Sequence, residues 1–555
     1  MKRRKPKEVW YADFETTQPT NNRVSVYLWV CLKGGTIHKG YDIKSFIEFI
    51  KDKSYIIYFH NLKFDFSYIQ YYLIQNEIDY KLLEKKGQIY SVRLFDVELR
   101  DSLNLMPITL KDIGELYCTK YKKTSIDYEV YEGHTATSEE IEYCINDCMV
   151  LEEGLNVYLD GLEKIINEAG CPEDITKKVR RKLTNSGIAF EVFKYMSNFD
   201  DLCPKTTHSE YELFKGAYKG GYVYSNNMGI KSNVQMIDNN SMYPYIYSTI
   251  PLPYGKGIYC RCEEDIKKYK FYILKVNIKY ELKDGYIPII GGSVGRYTTC
   301  HYKVSSDGEF EELVFCNSDF ELIKEFYDIE YDYLWGYGFE TKEHFFKKYA
   351  DTFVKIKNEN KGIKRALAKV MLNSPYGKTA MNGFTEIKKY FIDDEGVIKS
   401  EITGYEIDES EYQYLPIAIA ITAGARHLLL TTARDIGFEN VLYMDTDSIK
   451  YLNKPVSFKF DSQTLGAWKD EGLCEYFKTI APKKYVYYHN GILSYTCAGF
   501  SKTILNKEML HNENVSHETA LEYMKNFDSG LELECLQSKK IEGGRALLPI
   551  KKEIK

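Results

Sequence analysis

No stretch of this 555-residue chain approaches the eighteen or more consecutive apolar residues of a membrane-spanning helix. The opening MKRRKPKEVW is basic but has no apolar run behind it, so no secretory signal is expected. A surplus of positive charge is lacking too. Lys and Arg number 74 against 80 Asp and Glu, a net charge of −6, so a nucleic-acid partner has to be met by local patches. Internal repeats and low-complexity segments are absent. The 13 cysteines are scattered and odd in number, which argues against a disulfide framework and for a reducing compartment. Cys260, Cys262, Cys300 and His301 suggest a zinc site at most faintly, because the C-x-C spacing has no second pair. A soluble intracellular protein is expected.

What the chain has is an ordinary globular composition, 44% hydrophobic and 28% charged, over a length that exceeds one core. Three or four domains are expected. Fifty Tyr and 28 Phe supply flat rings that stack on bases as readily as they fill interiors. Residues 8 to about 160 alternate strand-like runs (VWYADFETT, SYIIYFHN, QIYSVRLFDVELR) with helical ones, which predicts an α/β domain. Residues 165 to 215 read as a polar helical connector, and strands resume in VYSNNMGIKSNVQMIDNN. From 341 to 380 a helical hairpin is expected, with Phe346, Tyr349, Phe353 and Ile356 as its apolar stripe and NENKG as its turn. IKKYFIDDEGVIKSE predicts a β-hairpin turning at DDEG, and beyond Cys497 a small mixed segment closes the chain.

Apolar strands that carry carboxylates are the informative feature. VLYMDTDSIKYL reads as a buried strand with Asp445 and Asp447 two residues apart, both on one side. Charges paired in such a setting repel and lose hydration unless a cation compensates. Spacing alone decides little, since 80 acidic residues in 555 make about eleven such pairs by chance. Strand context selects three places: Asp13 with Glu15, Asp238 in NVQMIDNNSMYP, and Asp445 with Asp447. The first pair would also suit a solvated edge strand. Yet YFHNLKFD puts Asn61 and Asp65 just after another buried strand. ATSEEIEYCIND opens with a capping box, Thr137 with Glu140, and carries Tyr143 and Asp147 on one helical face. Asp13, Glu15, Asp65 and Asp147 with Tyr143 are a set able to surround two divalent ions about 3.5–4 Å apart for phosphodiester cleavage. Asp238, brought beside Asp445 and Asp447, makes a second set suited to phosphoryl transfer. Pro244 is expected to end its strand and leave Tyr243 facing the site.

In KNENKGIKRALAKVMLNSPYGK, Lys357, Lys361, Arg365, Lys369 and Asn373 recur every four residues. Helical periodicity puts Lys369, Asn373 and Tyr376 on one face and turns Leu367, Val370, Met371 and Ser374 away. A solvated basic face has this pattern as well, but Asn373, Tyr376 and Gly377 favour a surface for a triphosphate and a base.

At these residues the chain resembles the protein-primed family B DNA polymerases of the bacteriophage phi-29 type, nearly end to end. DFET, YFHNLKFD and Y-x-x-x-D are similar to that family's three proofreading-exonuclease motifs. YKGG (Tyr218 to Gly221) resembles the motif that couples exonuclease and polymerase, and DNNSMYP, KVMLNSPYG and YMDTDS resemble polymerase motifs A, B and C. KKY (Lys483 to Tyr485) matches K-x-Y, and TCAG and EGG near the C-terminus also fit. Pro375, where an aliphatic residue is more familiar, and Met242, in place of the usual leucine, depart from the pattern without removing a catalytic group.

The resemblance implies a multidomain α/β and α+β fold. An RNase H-like DEDD exonuclease domain would span 1–168, followed by a right-hand polymerase with palm at 169–250 and 413–497, fingers at 345–380 and thumb at 498–555. Two family-specific insertions, 251–344 and 381–412, would respectively meet a priming terminal protein and wrap DNA for processivity and strand displacement. Asp238 and Asp447 would be the principal metal ligands of the palm, with Asp445 in the same site. Lys357, Arg365, Lys369 and Asn373 would bind the incoming nucleotide, Tyr376 the nascent pair and Tyr243 the sugar, and Lys483 and Tyr485 would hold the primer terminus. In the exonuclease Asp13, Glu15, Asp65 and Asp147 would hold metal and Tyr143 would orient the water. Thr16, Asn61, Phe64, Ser102 and Leu103 would position the 3′ end, with Lys123 as accessory, and Tyr218, Gly220 and Gly221 would contact DNA between the domains. Implied cofactors are two Mg2+ per site, with Mn2+ as substitute. Implied partners are template and primer DNA, dNTPs and the terminal protein. A cytoplasmic monomer that replicates a linear viral or plasmid genome follows. Two other functions share parts of the pattern: a nucleic-acid-primed repair polymerase of the same fold, and a DEDD-type nuclease whose C-terminal half binds DNA. The basic helix and three palm carboxylates argue against the nuclease.

Overall fold

The computed structural model describes residues 7–126, 129–294, 299–452, 459–500, 504–505 and 514–554, with the side chains at 292–294 and 299–300 excepted. The expected N-terminal α/β domain is built on a seven-stranded sheet. Its order is Thr36–Gly40, Val26–Lys33, Glu8–Thr16, Tyr55–Phe59, Val97–Asp101, Gln88–Leu94, Lys81–Lys85. Glu8–Thr16 and Val97–Asp101 both pair in parallel with Tyr55–Phe59. Along Glu8–Thr16, Trp10, Ala12 and Phe14 pack with Phe46, Phe59 and Phe66. Period-two alternation therefore gives Tyr11, Asp13 and Glu15 the opposite face. Helix Ser138–Glu168 packs there, starting at the expected capping box of Thr137 and Glu140.

Residues 165–215 correct the expectation of a polar connector. Helix Asn185–Ser197 buries Phe190 and Phe193, and Phe193 stacks on Phe346 with ring centres 3.9 Å apart while meeting Tyr247 and Tyr349 edge-on. This helix belongs to the core beneath the second half of the chain. That half is centred on another seven-stranded sheet, ordered Ile492–Cys497, Lys484–His489, Trp468–Ala481, Lys231–Asn239, Ser448–Leu452, Val441–Asp445, Val223–Ser225. Helix Leu415–Ile436 lies against Ser448–Leu452 and Met242–Thr249. By length and composition it is apolar enough to cross a membrane, with a best-window mean hydropathy of 1.3, although Arg426 and His427 break its apolar run. Since 78% of that window is buried within the protein, packing accounts for its composition.

Within 252–342 lies a four-stranded sheet, ordered Leu252–Cys260, Tyr327–Lys342, Phe271–Leu282, Glu311–Cys316. Cys260 and Cys262 turn their thiols to Ile258 O and Asp265, and the Cys300 side chain lies outside the described residues, so no zinc grouping forms among those described. The expected hairpin pairs Phe384–Ile392 with Ile398–Ile407. It is held at two points. Glu84 of the N-terminal domain accepts from Lys388 and Tyr390, both at 3.0 Å, and Lys540 of the C-terminal ribbon donates to Ile398 O at 3.2 Å. That ribbon, Glu532–Ile541 with Gly544–Glu553, returns to the N-terminal domain. Val24 N–H donates to Glu542 O at 3.0 Å, Glu542 N–H donates to Asn22 O at 3.2 Å, and the Tyr68 hydroxyl donates to Arg545 O. Domain, hairpin and ribbon thus close a ring of contacts.

Candidate active sites

The N-terminal carboxylates converge as expected. Carboxylate oxygens of Asp13 and Glu15 lie within 4.8 Å of each other and of Cys144 Sγ. Asp65 sits in the first turn of helix Leu62–Gln75, after Asn61 at φ 68°, and accepts the Phe14 N–H from the strand that carries the first two. Asp147 lies one turn past Tyr143 on helix Ser138–Glu168. Burial, then the charges of Asp65, Glu15 and Asp147, push the Asp13 carboxyl well up, and burial with Asp101 and Glu15 does the same to Asp65. Burial also raises Asp147 despite its ion pair with Lys123. Asp147 Oδ1 is buried with no hydrogen-bond partner, an orphan acceptor of the kind a cation satisfies. The residues fit divalent cations.

Lys123 also donates to the Tyr143 hydroxyl at 2.9 Å, with its ammonium 4.8 Å from that ring's centre. Two positioning groups escaped the sequence reading. Asp101 Oδ1 accepts from the N–H groups of both Asn61 and Leu103 at 3.0 Å, tying together the segments expected to hold a 3′ end. Burial pushes its carboxyl up to about 6 against these donors. His60 meets the Ser102 hydroxyl at 2.9 Å. Ser102 is wholly buried and donates to Phe59 O at 2.9 Å, so it shapes this loop from behind. Phe64 lies edge-on to Tyr68, which is hydrogen-bonded to Thr16.

In the second sheet Asp238 stands on the central strand between Ser448 and Lys469. The expectation of one strand through 441–452 is corrected. The chain reverses at Thr446, φ 60°, so Val441–Asp445 and Ser448–Leu452 are antiparallel neighbours. Asp447 N–H donates back to Asp445 O at 2.7 Å, and both carboxylates leave a tight turn instead of alternating along a strand. Thr446 N–H donates to Tyr222 O at 2.9 Å and Asn239 N–H to Asp447 O at 2.7 Å, which fixes the turn beside Asp238. A Cβ on Gly221 would fall 2.6 Å from Thr446 Oγ1, a physical reason for the last glycine of YKGG. Gly220 has open space, and its carbonyl accepts from Arg426 at 2.8 Å.

The three carboxylates are not equivalent. Asp445 accepts from Lys483 Nζ at 2.9 and 2.8 Å and from the Tyr443 hydroxyl at 3.3 Å. Burial, then the charge of Asp447, pushes Asp238 up to about 6, and burial with the Asp445 charge raises Asp447. Asp238 and Asp447 are therefore the pair that fits a cation. Lys450, unforeseen because it reads as an ordinary alternating polar residue, is buried with its ammonium 5.4 and 5.3 Å from the ring centres of Tyr443 and Tyr485. Burial holds it below the usual lysine range. A stability prediction follows. A carboxyl raised from 3.8 to about 6 costs the fold stability above pH 6. In chelator, Asp238→Asn should raise stability by about 1–2 kcal/mol at pH 8 after allowance for solvent screening, with the gain vanishing as pH falls from 6 to 4. Urea unfolding across that range measures it; a pH-independent difference would refute it.

The helical hairpin forms as Lys347–Glu359 and Gly362–Asn373. Tyr376 is not on the second helix. Ser374 caps it, and Tyr376 opens the following 3-10 turn. Pro375 has no N–H for Met371 O, so the Tyr349 hydroxyl takes that carbonyl at 2.6 Å and the Tyr247 hydroxyl takes Leu372 O at 3.0 Å. Tyr376 then lies on Tyr243, ring centres 4.3 Å apart at 15°. Pro244 falls in the first turn of helix Met242–Thr249, where an N–H is dispensable, instead of merely ending a strand. Lys357 is buried, 3.4 Å from Ser241 Oγ, and burial with Arg365 and Lys369 holds its ammonium below the usual range. Three gathered cations make a seat for an anion, and Lys369 and Asn373 are exposed on it. Tyr485 packs on Tyr443 at 4.9 Å. Arg426 was also unforeseen: it is buried, donates to Lys219 O at 2.6 Å and pairs with Asp319 at 2.6 Å, holding the loop that carries Tyr218.

The family description "DNA polymerase type B, organellar and viral" matches residues 47–137 and 131–451. The chain is 28% identical over 517 residues to the DNA polymerase of Bacillus phage Nf, covering 86% of this chain and 87% of that one. With the DNA polymerase of Bacillus phage phi29 it shares 29% identity over 522 residues, covering 87% and 86%. Its fold matches the solved phi29 DNA polymerase in complex with primer-template DNA and incoming nucleotide, at a TM-score of 0.84 and 25% identity over 99% of this chain and 100% of the other. A family pattern matched across most of its length, on a fold shared from end to end, makes this chain a member of the organellar and viral type B DNA polymerases.

Proposed function

We propose that the chain is a replicative DNA polymerase that proofreads with its own 3′–5′ exonuclease, starts on a protein primer and displaces the non-template strand. One observation carries this reading: two carboxylate sets, wholly or partly buried and each holding carboxyls raised by burial and like charge, stand in different sheets, and only one has the Lys357, Arg365 and Lys369 cluster beside it. Exonuclease at 1–168, palm at 169–250 and 413–497, fingers at 345–380, thumb at 498–555 and insertions at 251–344 and 381–412 divide the labour.

When bound, Mg2+, or Mn2+ in its stead, two ions per site, lowers the pKa of the attacking hydroxyl or water and neutralises the leaving oxygen. Asp238 and Asp447 hold cation in the palm. Asp445 fixes Lys483 at the place of the primer end, with Tyr485 beside it. Lys357, Arg365 and Lys369 bind the triphosphate, Asn373 and Tyr376 face the base pair, and Tyr243 faces the sugar. In the exonuclease Asp13, Glu15, Asp65 and Asp147 hold cation. Tyr143 accepts from Lys123 and so keeps its own O–H to donate to the water. Thr16, Asn61, Phe64 and Leu103 line the 3′ end, and Tyr218, Gly220 and Gly221 contact DNA passing between the sites.

The ring of contacts through Glu84, Lys388, Lys540 and Glu542 suits a protein that stays on duplex DNA. Deleting Ile387 to Thr403 should leave synthesis on open templates while abolishing displacement through a duplex, where each base-pair step costs about 1.4 kcal/mol. Equal displacement by the deletion variant would refute the role of the hairpin. Protein priming is tested by incubating the chain with a candidate primer protein, Mg2+ and labelled dNTP. A covalent protein–nucleotide adduct is expected, and extension of nucleic-acid primers without any adduct would favour a repair polymerase of the same fold.

A further inference from the structure

Cys144 lies between Tyr143 and Asp147 of the exonuclease motif, and the reading above leaves it without a role. Its Sγ is within 4.8 Å of both the Asp13 and Glu15 carboxylates, the single grouping of this kind among the described residues. The thiol is wholly buried and rests on Asp13 O at 3.6 Å. A second observation points to a ligand. Asp147, 3% exposed and on the same helix face three residues on, keeps Oδ1 buried and without a partner, while its other oxygen takes Lys123. Its charge is among those that raise the Asp13 carboxyl, so the two carboxylates are near neighbours.

We propose that Asp13, Glu15 and Cys144, edged by Asp147 Oδ1, form a binding site for a thiophilic divalent cation of the zinc and cadmium class. Zinc holds sulfur at about 2.3 Å and oxygen at about 2.0–2.2 Å, so the three atoms have roughly an ångström to close, within reach of side-chain rotation. Binding exchanges a proton for the metal: the thiol releases its proton to solvent, the thiolate donates its electron pair to the cation, and nothing is oxidised or reduced. A hard cation such as Mg2+ prefers oxygen and leaves the thiol alone. No thiol forms such a grouping with Asp238, Asp445 and Asp447. A soft cation therefore arrests 3′–5′ degradation at concentrations that spare extension. The inference rests on the reading that Asp13 and Glu15 gather cations for degradation.

The test is a Co2+ titration of the full chain, followed by thiolate-to-cobalt charge-transfer absorption, in wild type, Cys144→Ser and Cys144→Ala. A saturable band that Zn2+ displaces is expected in wild type and absent from both variants, whose Cd2+ affinity should fall about ten- to a hundredfold. Primer extension by the variants reports that they are folded. A band of full intensity in folded variants, or no band in wild type, overturns the proposal. Wild type that shows the band yet lacks Mg2+-dependent degradation would instead sink the exonuclease reading and leave the metal site standing.

Discussion

Asp447→Ala is expected to abolish primer extension while sparing 3′–5′ degradation, and Asp13→Ala to do the reverse. Each loss should be at least about a thousandfold, because removing one preorganised electrostatic partner of a transition state already costs about a hundred- to a thousandfold. Asp447 is placed by contacts of the second sheet, its turn being tied to Asn239 and Tyr222. Asp13 stands on the first sheet, where its neighbours in charge are Asp65, Glu15 and Asp147. Neither variant should unfold. In both, alanine removes a carboxylate that burial and like charge already disfavour. Gel assays of labelled primer, with and without dNTPs, separate the activities. Loss of degradation in a folded Asp447→Ala chain would mean that the two centres are one.

Tyr243→Val should raise ribonucleotide use sharply while dNTP incorporation falls far less. The ring lies two residues past Ser241, whose hydroxyl meets the buried Lys357 of the cation cluster, so on the proposed reading it would border the sugar of a nucleotide seated there. It does not stand alone. Tyr376 backs it face to face at 4.3 Å, which limits how far it can swing away. A wall this stiff rejects an added 2′-hydroxyl by overpacking, worth about 1–3 kcal/mol. Valine removes the wall, so the dNTP-over-rNTP ratio of kcat/KM should drop about ten- to two-hundredfold. An unchanged ratio in an active Val variant would make Tyr243 a packing residue.

Periodicity carried much of this account. The strand alternation around Asp13, the capping box before Tyr143 and the apolar stripe from Phe346 to Ile356 were readable because each is local, and the structure places them where alternation and the 3.6-residue turn require. Errors arose where one residue overrides the local pattern. Thr446 adopts a left-handed conformation without being glycine, so the turn between Asp445 and Asp447 carries no turn signal of its own. Pro375 ends a helix whose freed carbonyls are taken by Tyr247 and Tyr349, residues more than twenty positions away. Arg426 with Lys219, Lys450 with Tyr485 and Asp101 with Asn61 are set by partners distant in sequence, so no window around them reveals a role. The helix at 185–197 is docked by Ile188, Ala189, Phe190, Val192 and Phe193, a short apolar run that the polar residues on either side of it obscure.

The central claim is that one chain both trims and extends a primer, at separate sites. The most direct test presents the purified chain with a primer whose last nucleotide is mismatched, first with Mg2+ alone and then with dNTPs added. The account predicts shortening of the primer without dNTPs and, once they are added, removal of the mismatch followed by full-length synthesis. The mismatched nucleotide should be missing from the product. A product that retains the mismatch, or a primer left intact without dNTPs while matched primers are extended, would contradict it.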